Sequence, residues 1–161
     1  MPIPHRWLSV LVLALAFGLV SSMAGAAGDS SSTSSQAPAE SARYTKAKAA
    51  VESMDYRAAI TLLEGVIRDK PGHADALNYL GYSHRKLGEF KQSLAYYTKA
   101  LEIDPGHRRA NEYLGELYLQ MGQLSSAEKQ LARLDDLCFW GCKELDDLKS
   151  AIKQYRARKS G

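Results

Sequence analysis

The chain has 161 residues, 45% of them hydrophobic and 24% charged, with 12 Gly, 5 Pro and 2 Cys. That apolar share suffices for a core and excludes a wholly disordered or collagen-like chain, while two cysteines exclude a framework of several disulfides. A formal charge of +3, from 21 basic and 18 acidic residues, is too mild to point to nucleic acid as a partner.

Residues 1–27 contain no Asp or Glu, and His5 and Arg6 precede an apolar run from Trp7 to Val20. Small residues follow: Ala24, Gly25, Ala26 and Ala27. A basic start, a short apolar stretch and an A-x-A site are the layout of a secretory signal peptide. The run falls short of the ~20 residues that span a bilayer as a helix. Residues 1–26 are therefore expected to be a signal peptide. Its removal would leave a periplasmic or secreted protein with no stable membrane insertion. Residues 27–39 are Ser-rich and lack any large apolar side chain. They cannot offset chain entropy by burial and are expected to form a flexible linker.

Beyond residue 40 the chain repeats. Pro71-Gly72-His73 returns as Pro105-Gly106-His107, Leu80-Gly81 as Leu114-Gly115, and Gly88 as Gly122, each 34 positions on. Ala59, Ser93 and Ala127 keep that spacing, as do Leu63, Tyr97 and Leu131. A fixed period of this size marks a stack of supersecondary units, none of which buries its apolar face alone. Leu77, Leu80 and His84 stand at i, i+3 and i+7, as do Asn111, Leu114 and Tyr118, so each set forms one mainly buried helical stripe. Gly88 and Gly122 suit the left-handed residue that ends a helix, and Pro71 and Pro105 cannot continue one.

The motifs resemble the tetratricopeptide repeat family. In residues 74–107, Leu77, Leu80, Gly81, Ser93, Tyr97, Ala100 and Pro105 match that family's pattern. Residues 108–141 carry Leu114, Gly115, Tyr118, Ala127, Leu131 and Leu134, with Phe139 in place of the Pro. Residues 40–73 form a degenerate first copy that keeps Ala47, Ala59, Leu63, Val66 and Pro71. Lys46 takes its Leu position and Met54 its turn Gly. The resemblance implies an all-α fold, an α-solenoid of three helix-turn-helix repeats (40–73, 74–107 and 108–141) plus a capping helix over 143–157. Gly81 and Gly115 are expected where the two helices of a repeat cross, opposite Ser93 and Ala127. In the cap, Leu145, Leu148 and Ile152 extend the apolar stripe, while Lys149 stands where a further repeat needs a small residue. The cap's outer face is thus expected in water, with Lys153, Arg156, Arg158 and Lys159 as solvated charges favoured by the helix dipole.

Cys138 and Cys142 flank Phe139-Trp140-Gly141 where the other repeats have a Pro turn. A pair so spaced fits a disulfide, and an exported chain meets an oxidising compartment. Its expected role is to fix the angle of the cap. The alternative is thiol or copper handling through the same pair. No nucleophile elbow, zinc-binding HExxH, phosphate-binding Gly loop or zinc spacing occurs, so neither an enzyme nor a cofactor is expected. Asp135-Asp136 and Asp146-Asp147 read as solvated helix faces, because consecutive helical residues point about 100° apart. His73 and His107 are expected to begin the first helix of their repeats.

By the resemblance, the first helix of each repeat lines a concave groove. Its facing residues are Tyr44, Lys48 and Val51, then Asp75, Asn78, Tyr82 and Arg85, then Arg109, Glu112, Glu116 and Leu119. Tyr and Arg at such places are typical anchors. Chaperone-binding members of the family hold a carboxylate between basic and Asn residues. Asn78 and Arg109 fit that clamp in part, while Tyr44, Lys48 and Tyr113 depart, so capture of a free C-terminal carboxylate is not expected. The chain reads as an exported scaffold or adaptor for a protein or peptide partner.

Overall fold

The computed structural model describes residues 32–160, with side chains from residue 39 onward. The expected signal peptide, 1–26, lies outside the described residues. Within them the chain forms seven helices and no strand. They are α1 (Ser32–Glu52), α2 (Tyr56–Asp69), α3 (Ala74–Lys86), α4 (Phe90–Ile103), α5 (Arg108–Gln120), α6 (Leu124–Leu137) and α7 (Lys143–Ser160). Three helix pairs and a last helix stack in chain order, each pair packing on the next. None of these helices is long and apolar enough to cross a membrane.

One expectation is corrected at the start of α1. That helix begins at Ser32, inside the segment 27–39 read as a linker, so residues 32–39 carry helical backbone. Once the packed turns around Ala47 pay the nucleation cost, each further residue adds one hydrogen bond for one residue fixed. Extension can then proceed without burial. The cap likewise runs three residues past its expected end, to Ser160.

The turns follow from local chemistry. Nδ1 of His73 accepts from the Ala76 amide at 3.4 Å, and Nδ1 of His107 from the Ala110 amide at 3.2 Å. Each histidine caps the helix it precedes. Nε2 of each also faces an acid of the preceding repeat, Glu40 at 3.6 Å and Asp75 at 3.1 Å. Each cap is therefore also a link between repeats. Gly88 and Gly122 take the left-handed backbone at φ 78° and 76°, and Met54 adopts it too, at φ 62°.

The core runs through the stack as three buried clusters, joined by the partly buried Leu101 and Tyr118. Leu63, Val66, Leu77 and Leu80 fill the first part, Tyr97, Leu114 and Leu117 the middle, and Leu134, Leu145, Leu148 and Ile152 the end. A Cβ on Gly81 would lie 2.6 Å from the Tyr97 ring, and the Ser93 hydroxyl donates to the Gly81 carbonyl at 2.7 Å. The close crossing expected in the second repeat is present. The third repeat differs, since the atoms nearest a Cβ on Gly115 belong to Leu148 of α7 at 2.6 Å, not to Ala127. Leu131, at the place Tyr97 holds in the second repeat, is a smaller side chain, and the cap reaches in instead. Lys149 is exposed and pairs with Asp135 at 3.4 Å, as suits a helix with a wet outer face.

Cys138 and Cys142 bring their Cα atoms to 5.6 Å and their sulfurs to bonding distance. Gly141 turns the chain at φ 84°. Cys138 is buried with Leu134 and Leu145, whereas Phe139 and Trp140 stand 83% and 93% exposed at the tip.

Candidate functional site

The first helices of the pairs, α1, α3 and α5, carry the eleven residues expected to face the groove. Asn78, Arg85, Glu112 and Leu119 are buried, Tyr44, Val51, Tyr82 and Glu116 half-buried, and Lys48, Asp75 and Arg109 exposed. These residues form a floor with a rim, and they fall into two groups.

The first group lies at the start of α3 and α5. The Tyr44 ring sits 4.6 Å from that of His73 and 6.2 Å from that of Tyr79. Burial, with Asp75 and Tyr79 nearby, raises the Tyr44 phenol well above its ordinary pKa. Nη1 of Arg109 reaches the Tyr79 hydroxyl at 3.4 Å. An open hollow of about 540 Å³ adjoins them, lined by His73, Asp75, His107, Arg108, Arg109 and Glu144.

The second group is further along the same helices. The rings of Tyr82 and Tyr113 are 5.0 Å apart, with Tyr56 on the far side of Tyr82 at 6.1 Å. The Arg85 guanidinium lies 5.4 Å from both Tyr82 and Tyr113, within cation–π range. Its Nη1 donates to Glu116 at 2.8 Å. Burial opposes the Arg85 charge, and Tyr97 and Glu116 more than offset it, so its pKa rises. Burial also pushes the Tyr113 phenol up to about 12.

Between the groups lies a polar floor with few internal partners. Asn78 is 1% exposed, yet neither its amide nitrogen nor its carbonyl oxygen has a hydrogen-bond partner among the described residues. Such a group ordinarily costs about 1–3 kcal/mol to bury. Glu112 holds the equivalent place on α5. Burial first, then Glu116, Asp147 and Glu144, against an opposing Lys143, push its carboxyl from 4.5 up to about 7. No three His, Cys, Asp or Glu side chains converge on a possible metal position among the described residues.

Several contributors were not anticipated from the sequence. Tyr79 and Tyr113 stand 34 residues apart, so the repeat itself marked both. The sequence marks α7 only as a cap, yet it contributes to a second cavity. Its Ala151, Gln154 and Arg158 join Arg85, Glu116 and Leu119 around a cavity of about 210 Å³.

Family models described as tetratricopeptide repeat match residues 44–108 and 84–137. No curated protein matches the chain with significance. Among solved structures, the Yersinia enterocolitica type III secretion chaperone SycD, in complex with a peptide of the translocator YopD, is 19% identical. The match covers 74% of this chain and 93% of that one, with a TM-score of 0.64. The first TPR of Spaghetti (RPAP3), bound to an HSP90 peptide, is 16% identical over 73% of this chain and 95% of its own, with a TM-score of 0.65. The Thermobaculum terrenum O-GlcNAc transferase is 23% identical over 72% of this chain but only 22% of its own, with a TM-score of 0.66. At these identities the likeness is one of fold.

Proposed function

We propose that this chain, which belongs to the tetratricopeptide repeat family, is an interaction module that holds an extended segment of another protein in its concave groove. One observation carries the reading. The Asn78 amide is buried on the helix face expected to line the groove, and its donors and acceptor have no partner among the described residues. A peptide backbone offers one N–H and one C=O per residue, the complement that a side-chain amide requires. Tyr82, Tyr113 and Arg85 beside it supply rigid contact area held in place by their mutual packing. Peptide-bound relatives of the same fold, SycD and Spaghetti, support the reading.

The signal-like segment supports export of the mature module to the periplasm or beyond. N-terminal sequencing of the protein from the cell envelope tests this, and an uncleaved chain in the cytoplasm would contradict it. We read Cys138 and Cys142 as a clamp on the last turn, rather than as a thiol or copper centre. Cys138 is packed into the apolar core instead of being presented to solvent.

Selection from a displayed random peptide library tests the groove. The chain is expected to yield binders that lose about tenfold in affinity on Asn78→Ala, the loss of one or two buried hydrogen bonds. Binders indifferent to that change would place recognition on another surface.

A further inference from the structure

The cavity shared by α3, α5 and α7 has a chemistry of its own. Its volume of about 210 Å³ suits a side chain rather than a whole ligand. Arg85 forms part of its wall with Glu116, which already accepts from Arg85 Nη1. The Arg85 Nε is buried and has no acceptor among the described residues. Arg85 itself is more than nine-tenths buried, and the neighbouring rings of Tyr82 and Tyr113 both lie 5.4 Å from its guanidinium. Arg158 enters from the last turns of α7, exposed and without an ion-pair partner among the described residues. Gln154 adds an amide, while Leu119 and Ala151 supply the apolar part. Two guanidinium groups against one carboxylate leave an excess positive charge, in a recess too small for a helix or a strand.

We infer that this cavity is a subsite for a carboxylate group of the bound segment, formed jointly by Arg85 of the second repeat and Arg158 of the capping helix. The inference rests on the groove reading and gives it a direction, placing a carboxylate of the partner, from a side chain or a chain terminus, toward α7. A carboxylate matches the planar fork of an arginine with two parallel hydrogen bonds, and Arg158 is the arginine with none engaged. Arg85 acts chiefly by position. Its bond to Glu116 keeps that acid from neutralising Arg158, and its field adds to the same recess. Two aliphatic lining residues suit the methylene stem of Glu or Asp. The cap therefore does more than shield the third repeat.

A test uses the same peptide selection, with C-terminally amidated and free-acid libraries run in parallel. Enrichment of Asp or Glu in amidated peptides shows that the carboxylate comes from a side chain. Enrichment only in the free-acid library assigns it to the chain terminus. Either result supports the subsite if Arg158→Gln weakens the selected peptide about tenfold and leaves its Glu→Gln or amidated counterpart unchanged. Arg158 is exposed, so the variant keeps the fold. Binders with no acidic preference, or a loss on Arg158→Gln that is equal for charged and neutral peptides, would overturn the inference while leaving the groove intact. No binder from either library would overturn the groove reading and the subsite with it.

Discussion

Helices α3 and α5 occupy the same place in successive repeats, yet they put opposite chemistry on the groove floor. Asn78 becomes Glu112, Tyr82 becomes Glu116, and Arg85 becomes Leu119, each 34 residues on. The residues that make the solenoid are held constant between the two helices, with Leu80 and Leu114, Gly81 and Gly115, and the capping His73 and His107. Some core-facing positions repeat under the demands of packing, although Leu77 becomes Asn111 and Ser83 becomes Leu117, all four buried. The residues expected to face the groove diverge, as the proposed binding role would allow. The α3 face is aromatic and cationic, while the α5 face is acidic and draws its balance from Arg85 and Lys143.

The largest contrast should appear at the paired glycines. Gly81→Ala would drive a methyl into the Tyr97 ring, which is fully buried between neighbouring elements. We expect a loss of about 3 kcal/mol in chemical unfolding. Gly115→Ala meets Leu148 on the terminal helix, which has a neighbour on one side of the stack only. That loss should be nearer 1 kcal/mol. Equal losses would mean that α7 is held as firmly as an internal helix.

Glu112 sharpens the comparison through pH. Its carboxyl titrates near 7 in the fold against 4.5 ordinarily, so the folded chain keeps a proton that the unfolded chain has already lost. Stability should fall as pH rises from about 4.5 to about 7 and stay reduced above. Glu112→Gln should remove that slope, gaining about 2 kcal/mol at pH 8 and little at pH 4. Unfolding curves at the two pH values check this. A gain of the same size at both would assign the effect to packing.

Met54 gives the smallest expected effect. The first repeat holds a left-handed backbone at Met54, where the later repeats use Gly88 and Gly122. Met54 is 71% exposed and makes little packing contribution to lose. Met54→Gly should raise stability by about 1 kcal/mol, the strain relieved less the added chain entropy. A loss on substitution would show that the turn is held by contacts of the side chain.

The architecture could be read from the sequence because the period repeats backbone requirements. Gly88, Gly122, Pro71 and Pro105 each answer to a local conformation that no distant residue can change. The residues expected in the groove lie on α1, α3 and α5, but their residue types alone do not foretell their burial. Asn78 and Arg85 look like surface residues by type, and only the stacking of α1, α3 and α5 encloses them. Arg158 looked like one of several solvated charges near a helix end, and nothing local separates it from Lys159. Its place beside Arg85 depends on how far α7 leans over α5, which the Gly115–Leu148 approach sets. The start of α1 was missed because a Ser-rich segment gives no apolar period to follow, although it can still extend a helix begun elsewhere.

Asn78 distinguishes a binding floor from an ordinary core most directly. A buried amide that serves the fold has partners inside it, and removing it lowers stability. One that serves a ligand costs the free protein and benefits only the complex. Thermal unfolding and peptide affinity should therefore be measured together on Asn78→Ala. The account predicts an unchanged or higher Tm with affinity for selected peptides reduced about tenfold. A lower Tm with affinity intact would contradict it, and would make Asn78 part of the scaffold rather than of the site.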